Sequence, residues 1–533
     1  MPLQVYSTLT RKKEPFHKKP GDAVSMYVCG PTVYKPSHVG HMVGPVIFDT
    51  VKRYLTYLGY KVTWVVNITD VDDKLIVRAK ELNTTVKELA ETMTADYFEC
   101  LKKLNVIGID QFPKATDHIP GMIAMMERLI AKGYAYPAGG DVYFDVSKDR
   151  DYGKLCNRDP EQLEAGTRIE VSGKKKNPGD FALWKAAKPG EPQWESPWGP
   201  GRPGWHIECS VMSQALLGDT LDIHGGGLDL EFPHHENELA QSESDTDKPF
   251  AKVWMHNGLL KMGAAKMAGS VGNVVNIADL LQRHAAETVR FLLLSTHYRS
   301  PIEYSEERLD EVKRSTDGFY RLFERFGRIT KGNFFAEPLS DYRLSPPELS
   351  LAPQNAVTLR KLFMEAMDDD FNTGKAVGIL FSLLGSLNKF ADDTNLDLPE
   401  RDFNDVRSFN IGVLILRELS NILGIFWEPP VKQTFARAVG TAAGTSTAHA
   451  ISSVSNAPPP QEKNLADEHL IDGLVQLLID LRNNLRATAK TITEKTDPTK
   501  KALFDQTDLI RKRLSELGVT LEDRPGGTTW RVG

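Results

Sequence analysis

An α/β fold built on a doubly wound, Rossmann-type parallel sheet is predicted by two observations. Residues 24–29 and 61–66 are short apolar runs of strand length. Between them Ile47, Val51, Tyr54, Leu55 and Leu58 recur at helical spacing until Gly59 stops the pattern. The result is a βαβ unit, from which such sheets are built. A chain of 533 residues is too long for one core, so roughly three or four units are expected.

The βαβ unit opens the first half of a catalytic domain, residues 1–112. From 113 to 204 the chain turns rich in Pro, Gly, Trp and charge, including Lys174, Lys175 and Lys176, which predicts an inserted subdomain. The sheet is expected to resume over 205–304. Residues 305–431 follow the helical period, as in Phe319, Leu322, Phe323 and Phe326, and predict a helical bundle. Residues 432–463 carry too little apolar surface to offset the entropy of ordering and read as a flexible linker. The remaining residues, 464–533, predict a small mixed domain. Leu470, Leu474, Leu478, Leu481 and Leu485 line one helix face, Leu503, Ile510 and Leu514 mark a second helix, and a tight turn with a short strand closes the chain.

At 41% hydrophobic and 26% charged, the composition excludes general disorder. No stretch approaches the roughly 18 apolar residues of a membrane span, and the first residues lack a signal-peptide core. A cytoplasmic protein, without a membrane partner, is expected. Four cysteines, at 29, 100, 156 and 209, make a poor disulfide framework, which leaves metal binding or burial as their use. A net charge of −6 argues against polyanion binding by the whole surface but permits a local basic face.

Two clusters point to chemistry. His38-Val39-Gly40-His41 lies between the first strand and its helix, where free amide groups and the helix dipole favour an anion. Gly40 leaves room for close approach; polar capping of the helix is the plainer alternative. In HHENE, His234 and Glu238 stand four apart and share a helix face if the segment is helical. With thiolates from Cys29 and Cys209 they make a set suited to zinc. Buried thiols and a solvated acidic helix would explain the same residues, and neighbouring His206, His224, His235 and His256 leave the ligand choice open.

CGPTVY at 29–34, HVGH at 38–41, NITDVDDK at 67–74, PGWHIECS at 203–210 and HGGGLDLEFPHHENE at 224–238 follow one another in the chain. A KMSKS-like loop at 266–270, HYRSPIEYS at 297–305, MDDDFNT at 367–373 and LEDRPGGTTW at 521–530 continue the series. In content and order these resemble the class I cysteinyl-tRNA synthetases. The resemblance implies an ATP-dependent ligase that forms cysteinyl-adenylate from L-cysteine and ATP, with Mg2+ accompanying the ATP, and passes cysteine to tRNA(Cys). It implies one zinc ion (Zn2+) per chain on Cys29, Cys209, His234 and Glu238. His38, His41 and Lys266 would act on the phosphates, with Gly40, Gly225, Gly226, Gly227, Asp229 and Ser270 around ATP. Thr69 and Trp205 would flank the amino acid, and the domain after 464 would read the anticodon. A monomer is expected.

One motif departs from the family pattern. The loop reads Lys266-Met267-Ala268-Gly269-Ser270, so the second lysine of KMSKS is missing, and Lys261 is a candidate to supply charge in its place. Two rivals remain at this stage. One is a cysteine ligase with a small amine acceptor, like that of mycothiol synthesis, against which the long C-terminal half argues. The other is a noncatalytic RNA-binding relative, suggested only by the altered loop.

Overall fold

The computed structural model describes residues 2–157, 173–262, 265–266, 274–336, 343–429, 465–491, 497–516, 519–524 and 527–532. The chain divides into two compact units, Met1–Pro429 and Pro430–Gly533. The first opens on a small antiparallel hairpin, β1 (Gln4–Ser7) and β2 (Lys12–Pro15). There follow β3 (Ala23–Val28), α1 (Val39–Tyr57) and β4 (Lys61–Val66), the βαβ unit read from the sequence. Val24, Met26, Tyr27 and Val28 of β3 and Trp64, Val65 and Val66 of β4 are buried. Both strands are nearly uninterrupted apolar runs because a parallel sheet is covered on both faces. In α1 the buried positions Val39, Met42, Val43, Val46, Ile47, Val51, Tyr54 and Leu55 keep the 3.6-residue period. The helix ends at Gly59, whose φ of 97° suits a residue without Cβ.

Between the halves of the sheet lies an antiparallel layer of β5 (Ala135–Ala138), β6 (Asp141–Phe144), β7 (Phe181–Ala186) and β8 (Gly201–Pro203). It shares a second core with Tyr27, Val65, Ile207 and Cys209 of the parent fold. The main sheet then resumes with β9 (Leu221–Gly227) and β10 (Ala251–Asn257). Its order is β10-β9-β3-β4, all parallel. From β3 the chain winds out to β4, then returns to the other side as β9. The crevice beyond the ends of β3 and β9 is therefore the switch point at which open α/β sheets bind ligands.

Loop residues past these strand ends are packed very closely. A Cβ on Gly30 would lie 1.8 Å from the backbone oxygen of Asn67. Gly30→Ala is therefore expected to cost about 3 kcal/mol, the upper end of overpacking penalties, because backbone cannot move aside as a side chain can. Urea unfolding followed by tryptophan fluorescence checks this; an unchanged midpoint would contradict it.

After the sheet come the helices Glu306–Thr330, Gln354–Asp368, Thr373–Asp393 and Phe403–Leu423, which share the main core with α1. Buried Arg290 ties the two parts, its guanidinium 2.6 Å from Asp49 of α1 and donating to the carbonyls of Leu104 and Leu423.

The second unit holds the helices Leu465–Thr491 and Pro498–Glu516 and an antiparallel hairpin, Val519–Arg524 with Gly527–Val532. The single closing strand expected from sequence is thus a pair. The expected leucine face is also corrected, since Leu478 and Leu481 are exposed while Ile479 meets Leu514, Val519 and Leu521 in the core. Both faces of that helix carry apolar residues, and the hairpin packs against the one bearing Ile479. The linker read over 432–463 lies outside the described residues.

Candidate functional site

Four distant side chains converge at the switch point. Cys29 follows β3, Cys209 sits in the helix Trp205–Leu217, and His234 and Glu238 lie on either side of the start of the helix Glu236–Thr246. Their donor atoms all fall within 4.8 Å of one another. The two sulfurs are 3.7 Å apart, and Cys29 Sγ is 3.5 Å from His234 Nε2 and 3.3 Å from Glu238 Oε1. His234 Nε2 and Glu238 Oε1 are 2.9 Å apart.

A tetrahedral zinc with ordinary bond lengths would set sulfur–sulfur edges of roughly 3.8 Å and sulfur–nitrogen edges of about 3.5 Å. The Cys29–Cys209 and Cys29–His234 pairs have these spacings, and a two-sulfur, nitrogen and oxygen donor set is one that zinc accepts. Its electrostatics agree. Burial alone would raise the Glu238 carboxyl, but His234 and His224 beside it hold it well below the usual range. Burial opposes the charged form of His234 too, yet Glu238 and Cys209 raise it to about 10. Burial pushes the Cys29 thiol up, whereas hydrogen bonds from Cys29 and His234 outweigh burial at Cys209 and lower it to about 7. A buried carboxylate is thus paired with a protonated His234 beside two thiols, and a bound cation would take over the charge that His234 now carries.

The remaining histidines are engaged in other ways. His224 places Nδ1 3.0 Å from the Tyr27 carbonyl and Nε2 2.9 Å from Glu238 Oε2, so it steadies the carboxylate from behind. A second grouping, Cys29, His224, His235 and Glu238, is equally compact, but both ring nitrogens of His224 already face acceptors. His206 Nδ1 meets His234 Nδ1 at 2.9 Å, and Trp205 stacks on the His234 ring with centroids 4.1 Å apart. His235 reaches His256 at 2.7 Å, and His256 reaches Thr8 at 2.7 Å.

Trp205, 37% exposed, forms the lip of the cluster. Thr69 is buried and donates its hydroxyl to Glu208 at 2.9 Å. Neither Glu208 nor Asn67, which donates to Thr69 at 3.3 Å, was singled out in the sequence. Each lies inside a motif, WHIECS and NITD, whose spacing says nothing of such a contact.

His38 precedes the first turn of α1, and its ring stacks on His41 with centroids 3.6 Å apart. A Cβ on Gly40 would meet the His38 ring at 2.9 Å, so glycine permits this stacking. Burial lowers His38, and burial with the charges of His38 and Lys74 lowers His41 to about 3. Both rings are neutral near pH 7 and can donate N–H groups. The glycines have internal partners as well, because a Cβ on Gly225 would meet Phe48 at 2.3 Å, one on Gly226 would meet His235 at 2.9 Å, and one on Gly227 would meet Asp229 at 2.6 Å.

The KMSKS-like loop springs from β11 (Leu260–Met262) and β12 (Ala265–Lys266), with β13 (Ile302–Glu303) alongside. Lys261 and Lys266 are directly opposed in register, and Lys261 is exposed. Residues 267–273, Ser270 among them, lie outside the described residues. Past the loop, the Val275 carbonyl accepts from Val39 N–H at 3.0 Å, and Ile277 N–H donates to the Ser37 carbonyl at 3.0 Å. The loop's exit is thereby joined to the HVGH segment.

Residues 15–314 match the family described as "tRNA synthetases class I (C) catalytic domain", and residues 362–427 match the DALR domain. The chain is 43% identical over 531 residues to the cysteine--tRNA ligase of Pseudomonas paraeruginosa, covering 99% of each. To that of Syntrophobacter fumaroxidans it is 40% identical over 536 residues, covering 100% of each. Among solved structures, Mycobacterium tuberculosis methionyl-tRNA synthetase bound by methionyl-adenylate superposes with a TM-score of 0.58. That match covers 76% of this chain and 92% of the other at 16% identity, a likeness of fold.

Proposed function

The chain belongs to the cysteine–tRNA ligase family, and from that premise we propose which of its residues carry the reaction and what metal they hold. The enzyme is an ATP-dependent ligase that joins cysteine to tRNA. The likeness spans the whole length of tRNA-charging relatives, which disfavours a small amine acceptor.

The single observation that carries the proposal is the convergence of Cys29, Cys209, His234 and Glu238 within 4.8 Å. We assign one zinc per chain to them. When bound, zinc supplies a Lewis acid that prefers a substrate thiolate to a serine hydroxyl. Trp205 walls the amino acid, and Thr69, with its proton committed to Glu208, sets the floor. The cysteine carboxylate is thereby aimed at the ATP α-phosphorus for in-line attack, its new bond to phosphorus forming as the α–β phosphoanhydride bond breaks and pyrophosphate leaves. His38 and His41, held neutral, donate to the phosphates as charge builds on them, and Lys266 adds positive charge from the loop. Gly40, Gly225, Gly226, Gly227, Asp229 and Ser270 bound the nucleotide, with Mg2+ on its phosphates. The tRNA ribose hydroxyl then attacks the activated carbonyl and AMP departs as the mixed anhydride breaks, so no protein nucleophile is required. The four cysteines are free thiols and no helix among the described residues is long and apolar enough to cross a membrane, which favours a cytoplasmic enzyme; we take it to be a monomer. Metal analysis tests the assignment: one zinc per chain is expected, and none would defeat it.

Two further outcomes are expected. Lys261 stands opposite Lys266, and Lys261→Ala should slow adenylate formation about tenfold while leaving the KM for cysteine unchanged. That is less than the roughly 10²–10³ of an enclosed donor because the side chain is exposed. Pyrophosphate exchange measures it, and an unaltered rate would remove Lys261 from the mechanism. Deleting residues 464–533, which we assign to anticodon recognition, should spare pyrophosphate exchange and impair tRNA charging, since they belong to a separate compact unit. Equal loss of both activities would instead make that unit a support of the active site.

A further inference from the structure

We propose that Asn67 and Glu208 are positioning residues which, through Thr69, brace the two thiol-bearing segments of the metal cluster against each other. The inference rests on the zinc assignment above. Cys29 is followed by Gly30, whose N–H donates to Asn67 Oδ1 at 2.8 Å. Asn67 Nδ2 donates to Thr69 Oγ1 at 3.3 Å, and Thr69 donates to Glu208 Oε2 at 2.9 Å. Glu208 immediately precedes Cys209. Three hydrogen bonds thus run from one thiol's segment to the other's, across the end of β4.

Asn67 sets the direction of two of these bonds, accepting from Gly30 through Oδ1 and donating to Thr69 through Nδ2. Thr69 has a single hydroxyl proton, which goes to Glu208, so its lone pairs remain to accept from Asn67. Turning the Asn67 amide over would set its NH2 against the Gly30 N–H, donor against donor. Asn67, Thr69 and Glu208 are all buried to within 1% exposure, where a broken bond is not replaced by water. The Gly30 segment also has no slack, since even a Cβ there would strike the Asn67 backbone. Packing alone does not explain Glu208. A carboxyl is a destabilising way to fill a gap between helix and sheet, and among the described residues no cation pairs with it. Its observed partner is the hydroxyl that completes the brace.

The geometry being held is the 3.7 Å separation of the sulfurs, which matches one edge of a zinc tetrahedron. A small slip of either segment would open that edge while leaving the HVGH segment, on another element, in place. Loss of the brace should therefore affect metal retention and cysteine affinity, and not ATP affinity.

The test uses the full zinc-loaded chain, with zinc release to a chromogenic chelator and the thiolate-to-metal absorption of the cobalt(II)-substituted protein as readouts. Asn67→Ala and Glu208→Ala are expected to release zinc about 10–100-fold faster, the usual effect of losing a partner just outside the ligands. They should also weaken the cobalt–thiolate band and raise the KM for cysteine at an unchanged KM for ATP. Glu208→Gln, whose amide oxygen still accepts from Thr69, should return release to within about threefold of the unmutated rate. Should Glu208→Ala fail to fold, Asn67→Asp carries the comparison, because it keeps the acceptor for Gly30 and loses the donor to Thr69. Unaltered release in these variants, or a Glu208→Gln as impaired as Glu208→Ala, overturns the brace. The zinc content of the unmutated chain separates the two levels. A chain without zinc overturns the cluster and the brace together, and a zinc-loaded chain indifferent to these substitutions overturns the brace alone.

Discussion

Replacing Cys209 by alanine is expected to strip zinc from the purified protein and to lower kcat/KM for cysteine by at least about 10²-fold, with the KM for ATP unchanged. Removing a partner outside the ligand set typically costs 10–100-fold, and Cys209 is itself one of the two sulfurs on which the soft character of the site depends. The buried thiol Cys100 supplies the control. Burial raises it to about 12, and its neighbours include Asp96 and Lys103, so Cys100→Ala should leave metal content and cysteine activation unaltered. Metal analysis and cysteine-dependent pyrophosphate exchange read both variants. Full zinc occupancy and an unaltered cysteine KM in Cys209→Ala would refute the ligand assignment.

His41→Ala should slow cysteinyl-adenylate formation by roughly 10²–10³, the cost of removing one donor to a developing negative charge, while cysteine affinity stays the same. The sign of the pH effect follows from the neutral ring. His41 is held at about 3 by burial first, then by His38 and Lys74, so it loses its proton far below the assay range and remains neutral from pH 5 to 8. The rate of adenylate formation should therefore show no limb from His41 in that window. A rate that falls as pH rises through about 6.5, an effect lost in His41→Ala, would mean that the ring acts as an imidazolium, contrary to its burial.

The βαβ opening was legible because its signals are local. The apolar runs at β3 and β4 and the helical period of α1 are consequences of burial on both faces of a sheet, and periodicity reports burial directly. The candidate metal cluster was legible by halves. His234 and Glu238 are neighbours on one short stretch, but the approach of Cys29 to Cys209 depends on the adjacency of β3 and β9, which no local pattern encodes. Spacing alone left the choice among His234, His206, His224, His235 and His256 open, and His234 came from the family resemblance. The placement of each ring depends on contacts from distant segments, such as those of His224 with the Tyr27 carbonyl and Glu238. The same holds for Asn67 and Glu208, whose contacts link segments over a hundred residues apart. At the other end of the chain, Leu478 and Leu481 followed a helical stripe yet remain exposed. Periodicity marks an apolar face, but the packing partner decides which face is covered.

Competition between cysteine and serine for charging of tRNA(Cys) tests most directly the claim that a buried metal cluster reads the amino acid. An apolar pocket separates such similar side chains by only about 10–200-fold. The zinc-loaded chain is expected to prefer cysteine by well over about 10³-fold, and metal removal should collapse that preference. Equal discrimination with and without metal, or a preference within the range of an ordinary pocket, would contradict it.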